Sequence, residues 1–278
     1  MKHIVPDAFL RHSPPRNMSR PVVSPTPTTS ARVHGRRDAC LATVVAPLIL
    51  PRLARASLVD ETAAERAFAS VSKSIVRVAR VAQNGETTSV GSGFVWYVDD
   101  DDVWIATNAH GLTNVDSSAS SRLAIMFAEE KLSATLDASC EYFANRSLDV
   151  AFVKIPKSKF PSSSSATFVS PKIGTSEDLR VGQSVFAVGF ADASPTLTQG
   201  TISGLGRKIP SKNGVGLKGL IQMDAKITEL TSGGALCDGN GRIVGMNVVP
   251  YAGAGKRDPE GVNFAIPVNA VRFAADKM

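Results

Sequence analysis

Histidine and cysteine are scarce in this chain: four His and three Cys in 278 residues. His3, His12 and His34 fall near the N-terminus, so imidazole chemistry in the rest of the chain must use His110. Cys40 also lies early, leaving Cys140 and Cys237, which is too few for a disulfide framework. Buried free thiols are the expectation for this pair, and a disulfide in an oxidising compartment is the alternative. The apolar run "ACLATVVAPLIL" spans 12 residues and contains Pro47. A membrane helix needs ~20 residues, so no transmembrane anchor is expected there.

Acidic residues are missing where basic ones gather. Residues 1–56 carry nine of the 31 Lys/Arg and two of the 25 Asp/Glu, so the chain after Ala56 is near −1 although the whole is +6. The basicity therefore belongs to the leader and does not imply nucleic-acid binding. The basic stretch "GRKIPSKNGVGLK" has no interleaved aromatics, and "GAGKRD" lacks the Lys-Ser/Thr ending of a phosphate loop, so both read as solvated loops.

The leader itself reads as an address. Its Ser/Thr/Pro/Arg-rich start is typical of an organelle transit peptide, and Arg36-Arg37, the apolar run and "LARA" follow in the order of an export signal. Two addresses in series predict a bipartite presequence over 1–56 and a thylakoid-lumen destination, with a bacterial periplasm or a mitochondrion as alternatives.

Beyond it, "DETAAERAFASVSKS" predicts a short amphipathic helix within 57–74, a surface or assembly segment with Ala63, Ala64, Phe68 and Val71 on one face. Short β-branched runs punctuated by Gly, Pro and Ser follow, which is the pattern of an all-β sandwich or pair of barrels. The Pro- and Ser-rich segment 157–166 divides them into an N-terminal barrel over 75–160 and a C-terminal barrel over 167–272.

Three residues stand out chemically. Ser232 precedes Gly233 and Gly234, which permit the backbone angles and close approach that an exposed nucleophile and its oxyanion donors require. His110 ends the apolar run "VWIATNAH", and Asp149 opens another, "LDVAFVKI". Taken singly each is ordinary, a structural histidine, a turn aspartate and a serine in a Gly-rich turn. The order His, Asp, Ser across an all-β chain makes them a constellation.

The motifs "GSGFVWY", "IATNAH", "LDVAFVKI", "DLRVGQSVFAVG", "TLTQGTISGLGR", "TSGGAL", "GRIVGMN" and "GVNFAIP" together resemble the protease domain of the Deg/HtrA serine endopeptidases, from about Val71 to Val271. The resemblance implies a chymotrypsin-like double β-barrel with a short N-terminal helix. It implies His110 as general base, Asp149 as its orienting partner, and Ser232 as nucleophile. Backbone N–H groups of Leu230, Thr231 and Ser232 would form the oxyanion hole, and Thr228 and Val248 the substrate pocket. No cofactor or metal is implied. Partners would be unfolded or damaged proteins and other Deg-type subunits, in homo- or hetero-oligomeric trimers or hexamers. Many relatives carry PDZ domains after the barrels; the resemblance is strongest to the PDZ-less Deg proteases of the thylakoid lumen.

One departure bears on activity. Leu230 stands where the family has a glycine, and a γ-branched residue is strained by ~1 to 2 kcal/mol if that position needs a positive φ. Two readings follow: an ATP-independent endopeptidase, or a proteolytically weak subunit acting as chaperone or structural partner.

Overall fold

The computed structural model describes residues 61–82, 84–112, 122–128, 133–136, 141–160, 168–191, 193–210, 216–249 and 261–278. The expected presequence, Cys140 and most of the Ser-rich linker lie outside these residues.

The first described element is the helix α1, Glu61–Val71, opened by an acid in its first turn, where carboxylate charge suits the exposed backbone N–H groups. Ala63, Ala67 and Val71 are buried at helical spacing, and Ala64 and Phe68 pack beside them. The helix is tied to the body by Arg66 Nη1, which donates to the Gly239 carbonyl at 2.8 Å, and by Ser70 Oγ, which donates to Gly241 O at 2.7 Å. Its apolar face is therefore occupied within the chain.

Seven antiparallel strands form the first sheet: β1 (Ile75–Val81), β2 (Thr87–Val98), β3 (Asp102–Thr107), β4 (Arg122–Phe127), β5 (Ser133–Leu136), β6 (Tyr142–Asn145) and β7 (Val150–Pro156), in the order β5-β4-β1-β2-β3-β7-β6. The register between β1 and β2 slips after Val78: Val78 faces Gly91 but Ala79 faces Ser89, so Val90 is the extra residue of a bulge. Bulges re-aim side chains beside active sites, and this one matters below.

The second sheet closes on itself as a barrel, β10-β13-β12-β11-β8-β9, built from β8 (Ser184–Ala191), β9 (Ser194–Ile209), β10 (Leu217–Met223), β11 (Ala235–Cys237), β12 (Ile243–Val248) and β13 (Asn263–Pro267). The 16-residue β9 makes closure possible. Residues 194–201 pair with β8, and Ile202 onward pair with β10. The segment "ISGLG" pairs with β10. Helix α2, Val268–Ala275, follows β13 directly and buries Val268, Val271 and Ala274; the sequence reading had no helix there.

One apolar cluster joins the pieces. It holds Phe94 and Phe152 from the first sheet, Phe186 and Val188 from the barrel, Ala67 from α1 and Val271 from α2. Buried apolar surface contributes roughly 25 cal/mol per Å², so this shared core fixes the two sheets against each other. On either side of the linker, Phe160 and Phe168 stack with Phe127, with ring centroids 4.7 to 5.9 Å apart.

Candidate active site

His110 and Asp149 are brought together by strand pairing. Strands β3 and β7 are antiparallel neighbours with Thr107 opposite Ala151, so the segment leaving β3 meets the residue entering β7. His110 sits in the 3-10 turn Ala109–Leu112, just past the strand end where the sequence reading placed it. Asp149 has φ 57, the one positive φ among the described non-glycine residues. Aspartate tolerates this left-handed region better than most residues because its short polar side chain bonds locally. Its carboxylate takes the His110 backbone N–H at 2.9 Å on Oδ1 and the His110 Nδ1 at 2.7 Å on Oδ2. An ionised carboxylate only accepts, so Nδ1 carries the proton and Nε2 is the basic nitrogen. Asp149 is 2% exposed, which keeps water from competing for this pair.

Ser232 comes from the barrel side. Gly233 has φ 85, and a Cβ there would press on the Ser92 carbonyl and lie 2.9 Å from Thr107 Oγ1. A Cβ on Gly234 would strike the Val188 carbonyl. The two glycines thus let the turn lie against both sheets, where the Ser92 N–H donates to Ser232 O at 2.7 Å and the Gly233 N–H to Asn247 O at 2.8 Å. Ser232, His110, Arg80, Leu230 and Val249 line one cleft together with Val90, which the bulge turns toward it.

Within that cleft the hydroxyl is engaged elsewhere. Ser232 Oγ donates to Asn108 Oδ1 at 2.8 Å and accepts from the Val249 N–H at 3.2 Å. A hydroxyl has one proton, so this serine is not bonded to His110 as a donor. Asn108 is itself held, donating through Nδ2 to the Asp149 carbonyl at 3.2 Å.

The loop before Ser232 is also closed. Glu229–Thr231 form a 3-10 turn capped by Thr228, whose Oγ1 accepts from the Thr231 N–H while the Thr228 N–H donates to Thr231 Oγ1. The Thr228 carbonyl accepts from the Thr231 N–H at 3.1 Å and from the Ser232 N–H at 3.0 Å. Two of the three expected oxyanion donors are therefore spent inside the turn. Leu230 is not among the positive-φ residues, so the expected strain is absent: a right-handed turn accommodates the side chain. Its carbonyl accepts from Ser92 Oγ at 2.6 Å.

Val248 is 1% exposed, packed in the core and paired with Phe264, so strand alternation hands the cleft to its neighbour Val249. Thr228 acts as the cap of the turn. Sequence reasoning missed Asn108 and Ser92, although "TNAH" and "GSG" carry them beside the residues it chose. Among the described residues no His/Cys/Asp/Glu cluster could hold a metal, and no helix is long and apolar enough to cross a membrane.

Comparison with known proteins points to the same fold. A family model described as "Trypsin-like peptidase domain" matches residues 91–246. The chain is 36% identical over 193 residues to Protease Do-like 5, chloroplastic, of Arabidopsis thaliana, covering 68% of this chain and 57% of that protein. It is also 36% identical over 233 residues to Protease Do-like 1, chloroplastic, covering 79% and 48%. With Serine protease Do-like HtrA of Bacillus subtilis the identity is 33% over 193 residues, covering 68% of this chain and 39% of that protein. The match thus spans about half the length of these relatives. A crystal structure of Deg5 superposes with a TM-score of 0.58 at 32% identity, covering 77% of this chain and 92% of that one. The chain belongs to the trypsin-like peptidase family, in its Do-like (Deg/HtrA) branch of serine proteases.

Proposed function

We propose that the chain is a serine endopeptidase of unfolded or damaged proteins, captured in a resting conformation. The observation that carries this reading is the 2.7 Å bond from His110 Nδ1 to buried Asp149, in the same cleft as Ser232. In the working cycle His110 Nε2 takes the Ser232 proton as Oγ bonds to the scissile carbonyl carbon. The proton then passes to the departing amine, and water hydrolyses the acyl-enzyme by the same route. Asp149 holds the ring and stabilises the imidazolium. Nothing in these steps calls on ATP, a metal or a cofactor.

For the oxyanion to be held, the Glu229–Thr231 turn must open and release the Ser232 N–H from Thr228. Each missing donor costs roughly 10² to 10³ in rate. The closed turn equally supports the second reading, a weak subunit whose value lies in binding or assembly. The extended partner would lie along the end of β12, where Val249 borders the cleft. The chloroplastic relatives and the two-part leader read from the sequence support a thylakoid-lumen location.

Digestion of reduced casein by the full chain, beside its Ser232→Ala variant, tests the reading. Cleavage abolished by the substitution is the expected result. A folded wild type that leaves casein intact hands the case to the weak-subunit reading.

A further inference from the structure

The Ser232 hydroxyl and the Asn108 amide are both buried, 3% and 2% exposed, and face each other across 124 residues of sequence. The hydroxyl proton goes to Asn108 Oδ1, and one of the two oxygen lone pairs receives the Val249 N–H. The amide is anchored on its other side by the Asp149 carbonyl, at the base of the His110 support. A nucleophile needs its proton aimed at the base, so each turnover must begin by breaking the bond to Asn108.

From this the geometry points to Asn108 as a positioning residue that parks the Ser232 hydroxyl and withholds it from His110, an inference that rests on the peptidase reading above. Asn108 acts through Ser232 and does not touch substrate. In the parked state the Ser232 hydroxyl and the Ser232 N–H are both engaged, one by Asn108 and the other by Thr228. Substrate seated against the end of β12 competes for the Val249 N–H, which loosens the second bond to the hydroxyl and favours its rotation.

The test is the rate of Ser232 labelling by a fluorophosphonate, in which Oγ bonds to phosphorus, fluoride leaves and the hydroxyl proton passes to His110. The full chain is compared with Asn108→Ala, which removes the acceptor, and Asn108→Asp, which keeps an acceptor but loses the donor to Asp149. A net hydrogen bond of about 0.5 to 1.5 kcal/mol predicts labelling about 2- to 13-fold faster in Asn108→Ala than in Asn108→Asp. The acid variant stays at or below the wild-type rate, since a charged acceptor holds the proton more tightly. Loss of the bond to Asp149 is common to both variants, so a merely structural role slows both alike. If Asn108→Ala does not fold, Asn108→Ser, too short to reach Ser232, is expected to show the same order. Equal rates in the Ala (or Ser) and Asp variants overturn the parking role alone. Absence of labelling in every chain, or labelling that survives His110→Ala unchanged, removes the peptidase reading and the parking role with it.

Discussion

Ser92 Oγ donates to the Leu230 carbonyl at 2.6 Å and accepts from the Phe190 N–H at 2.7 Å, so one hydroxyl on β2 holds both the nucleophile loop and the end of β8. Ser92→Ala strips a buried backbone N–H of its partner. The expected outcome is a loss of about 1 to 3 kcal/mol of unfolding free energy, read by denaturant titration. A midpoint equal to wild type would show that water or a shifted strand replaces the hydroxyl.

Leu230 fits the resting turn, so its replacement should unsettle that turn. Leu230→Gly removes the side chain and opens positive φ to the loop. Peptide hydrolysis is expected to rise by up to about 10²-fold, the worth of one recovered oxyanion donor, with most of the gain in kcat. Unchanged kcat in the variant would place the barrier outside this turn.

Asp149→Asn keeps an oxygen for the His110 backbone N–H and suits the left-handed backbone, but it no longer enforces the proton on Nδ1. The activity proposed here should fall by about 10⁴ in kcat, the scale expected when a Ser-His-Asp triad loses its orienting carboxylate. Folding should be little changed. Retention of more than a tenth of the activity would count against an orienting role for Asp149.

Cys237 is fully buried, and desolvation, with the nearby Asp238 charge second, pushes its thiol well above the ordinary range. The folded state holds this proton more tightly than the unfolded chain does. Stability from this site is therefore complete below the unfolded thiol value near 9.0 and declines as pH rises past it. Iodoacetamide at pH 8 should leave Cys237 untouched in the folded chain and label it in denaturant, as read by peptide mapping. Labelling of the native protein at this position would contradict the burial.

The strands were readable because β-branched runs and turn residues alternate along the chain, while the candidate trio of His110, Asp149 and Ser232 rested on its order along the chain and on the Deg/HtrA resemblance. The β6 and β11 strands were not, being four and three residues long, too short for a period to emerge. Helix α2 was masked by its strand-like neighbour "NFAIP", although Val268, Val271 and Ala274 carry a helical spacing. Asn108 and Ser92 act on residues 124 and 138 positions away. No local pattern encodes such a contact; it exists only once two sheets have packed. The closed state of the Glu229–Thr231 turn was half visible: Leu230 flagged the loop, but the Thr228 carbonyl that collects its amide protons could be found only in three dimensions.

The apolar cluster that runs from Phe94 and Phe152 through Phe186 to both helices has a mechanical meaning. The two walls of the cleft share one interior, so they cannot swing apart as domains on a hinge without exposing it to water. Passage from the proposed resting state to a working one would then be a local event, confined to a three-residue turn and one side-chain rotation. Such a change displaces a handful of hydrogen bonds and leaves the scaffold as a fixed anvil. On the proposed reading, a bound segment of unfolded chain would supply the small free energy needed, and the molecule would return to rest when that segment departs.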